Sequence, residues 1–431
     1  MSQQIVAWLK ERLVSAEAYN AEELLNNFLI EMEKGLNGDE SSLAMIPAFV
    51  GVAGQVPTGK PVAVIDAGGT NLRVCIARFN AAGEVELEGF SKQPMPGRFE
   101  EKTRAEFYQV LADALEPMKD DFESIGFCFS YPAEIKPNFD GQLLHWTKEI
   151  KIPELVGRHV GGGLIEALEA RGISGKKVVL LNDTVACLLA GLAQGQGFNA
   201  SSYIGFILGT GTNTAYVEQN GNIGKLVDMN EGAQVINVES GGFAAYPRSA
   251  IDLKLDAESE NPGSHVFEKA LSGVYMGTIT LELLKALQHD LAVFSKSGAE
   301  ALAALDDLYI IQIDNLAAEN GRDIGELGSD RFTEGDREIM RMVFKGVVDR
   351  AALLTAVNLC AATVKCGAGK DAAHPVCVNI DGSTYYYTYQ MADKVQAYLK
   401  PMLEKRGLHI RCIQVDDAPV VGAAIAGLVT F

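Results

Sequence analysis

Two stretches of this chain share one order: an apolar run, a glycine turn, and then an alternating run. The first is VIDAGGTNLRVCIARF, Val64 to Phe79; the second is LGTGTNTAYVE, Leu208 to Glu218. A glycine loop built for phosphate is usually followed by a helix, whose N-terminal N–H groups grip the anion. Here Leu72, Arg73, Val74, Cys75, Ile76 and Ala77 alternate as a strand does. Gly69-Thr70-Asn71 is matched by Gly211-Thr212-Asn213. Two such units argue for a duplicated α/β core whose halves face each other across a cleft. One turn from each half could then hold a nucleotide's phosphates from opposite sides. The glycines Gly68, Gly69, Gly209 and Gly211 let the backbone come close and present N–H donors. Thr70, Thr210 and Thr212 add hydroxyls, and Arg73 a charge. Neither GxGxxG before a helix nor GxxxxGK[ST] is present, so this is neither a dinucleotide loop nor a Walker loop.

Charge narrows the partners. The chain of 431 residues carries a formal net charge of −19. Such a surface repels nucleic acid and anionic membranes. A phosphate site on it must be made locally, from backbone N–H groups, cationic side chains and metal. Seven cysteines are scattered without a CxxC pair, which reads as reduced, mostly buried thiols. The N-terminus reads as an amphipathic helix rather than a signal peptide. The apolar end, Ala418 to Phe431, is too short to span a bilayer. A cytoplasmic protein is expected.

Along the chain, residues 1–57 look helical and residues 57–61 form a break. A hairpin is expected over 62–90 and a helix near 101–119. Strands follow at Ser124–Phe129 and Val178–Leu181, then a helix at Val185–Ala193. A second hairpin is expected over 203–228, with Asn220-Gly221 as the turn signal between its strands. Residues 266–360 are mostly helical, Val376–Ile380 is a strand, and the last helix begins near Val420.

Asp183 follows the strand that ends in LNDT, at the position where open α/β sheets place ligands. Phosphoryl transfer to a hydroxyl needs a carboxylate at that hydroxyl. The competing reading is that Asp183 is the N-cap of the next helix.

Eight collinear segments resemble the eukaryotic-type hexokinase family, within the actin-like, heat-shock-like sugar kinase superfamily. DAGGTNLRV and LGTGTNTAYVE resemble its phosphate segments. GFCFSYP, HWTKEI, INVESGGF and NPGSHVFEKALSG resemble its sugar segments. LNDTVACLLAG resembles its catalytic segment and VNIDGSTYYY its adenosine segment. The resemblance implies a two-lobed, duplicated actin-like (ribonuclease H-like) core with a deep cleft. The small lobe would be 61–181 plus 416–431, the large lobe 1–60 plus 182–415. It implies ATP and a hexose, glucose first, as substrates, phosphorylation at the 6-hydroxyl, a place in glycolysis, and a monomer or homodimer.

Residue by residue, Asp183 becomes the base and Lys148 a charge near the transferred group. Ser130, Thr147, Lys148, Asn182, Asp183, Asn213, Glu239, Glu268 and His265 become the sugar set. Asp66 would reach Mg²⁺ through water, and Gly68, Gly69, Thr70, Asn71, Arg73, Gly209, Thr210, Gly211, Thr212, Gly382 and Ser383 would hold the nucleotide. Three positions depart from the family pattern. His265 stands where glutamine or glutamate is usual, Ser240 where a tryptophan often follows the matched glutamate, and Pro419 where a serine usually touches the nucleotide. Two rival classes are weighed against this reading. An actin-like or chaperone-like ATPase has no use for the sugar segments. A silent sugar sensor has no need of both Asp183 and Lys148.

Overall fold

The computed structural model describes residues 1–52, 55–147, 150–227 and 229–431. Its strands, in chain order, are β1 (Ile46–Pro47), β2 (Val62–Ala67), β3 (Asn71–Phe79), β4 (Val85–Pro94), β5 (Ser124–Phe129), β6 (Ala133–Ile135), β7 (Gly141–Leu143), β8 (Lys177–Leu181), β9 (Ser202–Leu208), β10 (Thr212–Gln219), β11 (Ala233–Asn237), β12 (Val376–Asp381) and β13 (Ile410–Ile413). One sheet has the order β4-β3-β2-β5-β8; the other has β1-β11-β10-β9-β12-β13. With β1 set aside, the two orders are the same. Each starts with an antiparallel meander and ends with two parallel strands. The duplication is therefore one of topology, beyond the two turns. β6 and β7 form a separate small hairpin.

The central strands VAVIDA, SIGFCF, SYIGFIL and VCVNID are apolar on both faces because helices cover both faces of each sheet. Two of those helices, Asp183–Gly195 and Ala418–Val429, lie against each other between the sheets. One core joins Val62 and Val64 of the first sheet to Ala215 and Val235 of the second through Ala186 and Ala424 of those helices. The final helix packs on β2 and β5. Pro419 occupies its first turn, where proline is favoured because its missing N–H would lack a helical partner. That structural role explains the departure at this position.

The helices Ser2–Glu11 and Ala21–Asn37 pack on the buried 32-residue helix Glu334–Lys365, and all three share the larger core. Beyond Asn37 the helical expectation for residues 1–57 ends. Gly38 closes the helix in the left-handed conformation, and the chain runs on to supply the edge strand β1.

The expected turn at Asn220-Gly221 is corrected as well. Asn220–Asn222 is a single 3₁₀ turn, and the strand that returns to β10 is β11, starting at Ala233. The Asn220 amide donates to the Glu231 carbonyl (2.6 Å), and its Oδ1 accepts from Gln234 (2.8 Å). That side chain thus spans a longer excursion than a two-residue turn provides.

Candidate active site

The first turn joins β2 to β3. The Gly68 N–H donates to the Asn71 carbonyl at 3.1 Å, which leaves Gly69 and an exposed Thr70 at the tip. Tyr131 braces the turn by donating to the Gly68 carbonyl at 2.7 Å. Directly across the hairpin, Asp66 pairs with Arg73, with Nη1 to Oδ2 at 2.5 Å. Asp66 is buried, and burial raises its pKa against the pull of Arg73; the negative charge of Asp183 adds to the rise. Arg73, expected as a phosphate cation, is thus already engaged by a carboxylate.

The second turn joins β9 to β10 and packs more tightly. Gly209 N–H donates to Gly211 C=O at 2.9 Å, and Thr210 is the exposed tip. Thr212 lies differently from the expectation of a phosphate donor. It is buried; its hydroxyl donates to the Ile207 carbonyl (2.9 Å) and its N–H to Glu268 Oε2 (3.0 Å). Both donors are taken inside the protein. A Cβ added at Gly211 would stand 2.5 Å from that same Glu268 oxygen. Beside this turn, Gly382 has φ +117, and a Cβ there would meet the Leu208 carbonyl at 2.2 Å, so only glycine fits. Thr384 Oγ1 and the Gly273 N–H both donate to the Gly209 carbonyl, at 2.7 and 3.0 Å. Ser383 is exposed at the start of the short helix Ser383–Tyr387.

Amides and carboxylates gather between the turns. Asn213 Nδ2 donates to Asn237 Oδ1 (2.8 Å) and to Glu239 Oε1 (3.4 Å), and Asn237 Nδ2 donates to Glu239 Oε1 (2.7 Å). Glu239 has φ +56, an uncommon conformation for a non-glycine residue. Burial raises its pKa; Asn237 opposes the rise, Asp183 and Glu268 add to it, and His265 lowers it. His265 is exposed and also has positive φ, immediately before the helix Val266–Leu271 that carries Glu268. That helix is pinned from the core. Arg350 is fully buried, pairs with Asp252 at 2.8 Å and donates to the Ala270 carbonyl at 3.2 Å.

Asp183 is the first residue of the helix Asp183–Gly195. The N-cap bond is made instead by Asn182, whose Oδ1 accepts from Thr184 N–H at 2.8 Å. The competing reading of Asp183 as the cap is thereby removed. A cavity spanning the two sheets is lined by Phe129, Tyr131, Ala133, Asn182, Asn237 and Glu239. Ser130 follows β5, with its N–H on the Ala67 carbonyl at 3.2 Å, next to the first turn. Thr147 is half-buried and adjoins Trp146, which packs on Tyr131 and Phe129 at centroid distances of 4.8 and 5.8 Å. Lys148 lies outside the described residues.

Residue-by-residue reading left out Asn237, Asp381 and Cys128. Asp381 ends β12 as Asp66 ends β2, and that strand-end position was the available signal. Burial raises its pKa, the Gly382 N–H opposes this, and Asp183 and Asp417 add to it. Cys128 is a buried thiol, the register partner of Asp66 on the neighbouring strand, and it opposes the rise that burial gives that carboxylate's pKa.

This architecture matches solved sugar kinases. A hexokinase from Schistosoma mansoni complexed with glucose superposes with a TM-score of 0.79 at 24% identity, covering 99% of both chains. A ROK hexokinase from Thermus thermophilus superposes at 0.52 and 16% identity, covering 85% of this chain and 97% of that one. The fold is that of the actin-like sugar kinases. Family models described as hexokinase match residues 10–193 and 203–429. The chain is 30% identical to a hexokinase of Brugia malayi, covering 97% of this chain and 77% of that protein. It is 29% identical to hexokinase-1 of Schizosaccharomyces pombe, covering 93% and 85%. The chain belongs to the hexokinase family and is a hexose phosphotransferase.

Proposed function

We propose that this chain moves the γ-phosphoryl group of ATP to the 6-hydroxyl of a hexose, with glucose the leading acceptor, giving hexose 6-phosphate and ADP. One observation carries the reading. Asp183 opens the helix between the two sheets, next to Asn182, which lines one cavity together with Tyr131 beside the first turn and with Asn237 and Glu239 of the amide–carboxylate group. A base that serves a sugar hydroxyl while phosphate and nucleoside ends converge has to sit at such a junction. The glucose held by the S. mansoni relative supports glucose here.

In this reading Asp183 aligns the 6-hydroxyl and takes its proton as the new P–O bond forms. In phosphoryl transfer, alignment of the hydroxyl contributes more than proton abstraction. Asn213, Asn237, Glu239, Glu268 and Asn182 supply donors and acceptors suited to adjacent sugar hydroxyls. Thr70 and Thr210, at the two exposed tips, are the hydroxyls placed to meet phosphate. Mg²⁺ fits the donor chemistry of this corner. Asp66, Asp183 and Asp381 offer only oxygen, the donor a hard cation takes; among the described residues no three such side chains close a metal site, so the ion would keep most of its water. Asp66 would hold it through water; when bound with the nucleotide it neutralises charge on the phosphates. All seven thiols are unpaired, which supports a reducing, cytoplasmic setting.

A coupled assay of ADP release across a panel of hexoses tests the proposal. Sugar-dependent turnover with a 6-phosphate product is expected. ATP hydrolysis at the same rate without any sugar would overturn it.

A further inference from the structure

Ser240 stands where the family often carries a tryptophan, directly after Glu239. It is fully buried, and its Oγ lies 3.1 Å from Thr214 Oγ1. Both hydroxyls accept from the Nδ2 of Asn358, Thr214 at 2.7 Å and Ser240 at 3.3 Å. Asn358 comes from the helix Glu334–Lys365, deep in the large-lobe core, and is 1% exposed. Its Oδ1 has no hydrogen-bond partner among the described residues. An apolar side chain here would avoid that orphaned acceptor, so packing alone does not explain an asparagine.

The two hydroxyls it holds are sequence neighbours of the two residues read as sugar contacts. Thr214 follows Asn213 and Ser240 follows Glu239. The backbone repeats the link: Asn213 Oδ1 accepts from Thr214 N–H at 2.7 Å and from Ser240 N–H at 3.2 Å. Glu239 is held in the left-handed region, a conformation that persists only where its surroundings enforce it.

We infer that Asn358 is a positioning residue. Through Thr214 and Ser240 it sets the Asn213–Asn237–Glu239 group in register for the hexose. This deepens the sugar-site reading above and rests on it. Asn358 touches no substrate; its effect is confined to the hexose side because the glycine turns make no contact with these three side chains in the hydrogen bonds described.

The test measures hexose KM, ATP KM, kcat and melting temperature for Asn358→Leu and for the triple variant Thr214→Val, Ser240→Ala, Asn358→Leu. Asn358→Leu is expected to raise hexose KM about tenfold while ATP KM stays within about twofold, the signature of a lost ground-state binding geometry. Removing all three polar partners together leaves no orphaned group, so the triple variant should melt near the wild-type temperature. Its hexose KM should still be raised, which separates positioning from mere stability and covers a single variant that fails to fold. A triple variant with wild-type hexose KM overturns the inference. So do hexose and ATP KM rising together. Glu239→Gln is the control. If it raises hexose KM while the Asn358 variants do not, the positioning role alone is wrong; if it has no effect, the sugar-site reading fails first.

Discussion

The two glycine hairpins begin equivalent sheets, yet they close differently. In the first, Ala67 pairs with Leu72 around residues 68–71; in the second, Leu208 pairs with Thr212 around residues 209–211. The second turn is shorter by one residue, and in a strand one residue is enough to move a side chain to the opposite face. The shared Gly-Thr-Asn triplet therefore falls out of step with the shared architecture. Thr70 is an exposed tip, whereas its match Thr212 already lies buried in the strand, and Thr210 takes the tip. Across the first hairpin Asp66 faces Arg73; at the matching rung of the second, Ile207 faces Asn213. One half thus carries a charged pair beside the turn proposed to meet phosphate. The other turns the same rung into an amide aimed at Asn237 and Glu239. In the proposed reading both tips meet phosphate, and the single-residue difference in the turn gives the hexose a rung in the second half alone.

Asp183 joins the two halves, so its loss should be the largest effect. Asp183→Asn should lower kcat by roughly 10²-fold or more, the usual scale for general acid–base groups. Hexose binding, followed by intrinsic fluorescence, should persist. A kcat close to wild type would remove Asp183 from the mechanism and leave the two halves without a common centre.

The tighter packing of the second turn can be tested with one methyl group in each. Gly211→Ala must displace the Glu268 carboxylate, which lies 2.5 Å from the added carbon, whereas Gly68→Ala meets nothing nearer than 3.5 Å. Gly211→Ala should raise hexose KM about tenfold as one charged contact is shifted. Gly68→Ala should leave hexose KM unchanged, with any effect confined to ATP. Equal hexose effects would mean that the second turn has no closer tie to the hexose than the first.

The threonines sharpen the same point on a smaller scale. Thr210→Val should raise ATP KM by about fivefold, the loss of one hydrogen bond of about 1 kcal/mol. Thr212→Val removes the bond to the Ile207 carbonyl, so it should cost stability by about 1 kcal/mol and leave ATP KM alone. A Thr212 variant with the larger ATP effect would restore the simple repeat read from the sequence.

That repeat shows how far the sequence carries. Apolar runs broken by glycine turns gave away both hairpins because buried strands need both features. The strand-end carboxylates Asp66 and Asp183 were visible for the same reason. The one-residue change in turn length was not visible, since composition does not encode ladder register. Asn220-Gly221 misled because a favourable turn dipeptide sits equally well in a 3₁₀ turn when its asparagine bonds Glu231 and Gln234. Asn358 was hidden differently. It lies in the apolar run LLTAVNLCAAT, and its partners Thr214 and Ser240 are far away in sequence. A lone polar residue on a buried helix is a signal, but only the fold says what it holds.

The smallest expected effect concerns the charge that the first hairpin carries and the second lacks. Asp66 is buried, and its folded pKa is raised chiefly by that burial, with Arg73 opposing and Asp183 adding. The folded state therefore binds the Asp66 proton more tightly than the unfolded chain does. Above the folded pKa the ionised carboxylate costs stability, and that cost is relieved as pH falls through it. Asp66→Asn carries no titrating group. The variant should thus melt at or above the wild-type temperature near pH 7.5, by roughly 1–3 °C on the usual conversion of stability to melting temperature. Its advantage should shrink as pH falls through the raised folded pKa, because the wild-type carboxyl takes up its proton. Activity should fall in the same variant, since the carboxylate read as reaching the metal through water is gone. A variant that melts below wild type at pH 7.5 would show that the Arg73 pair outweighs desolvation. The first hairpin would then be stabilised by the charges it carries, and its difference from the second would be one of structure before it is one of chemistry.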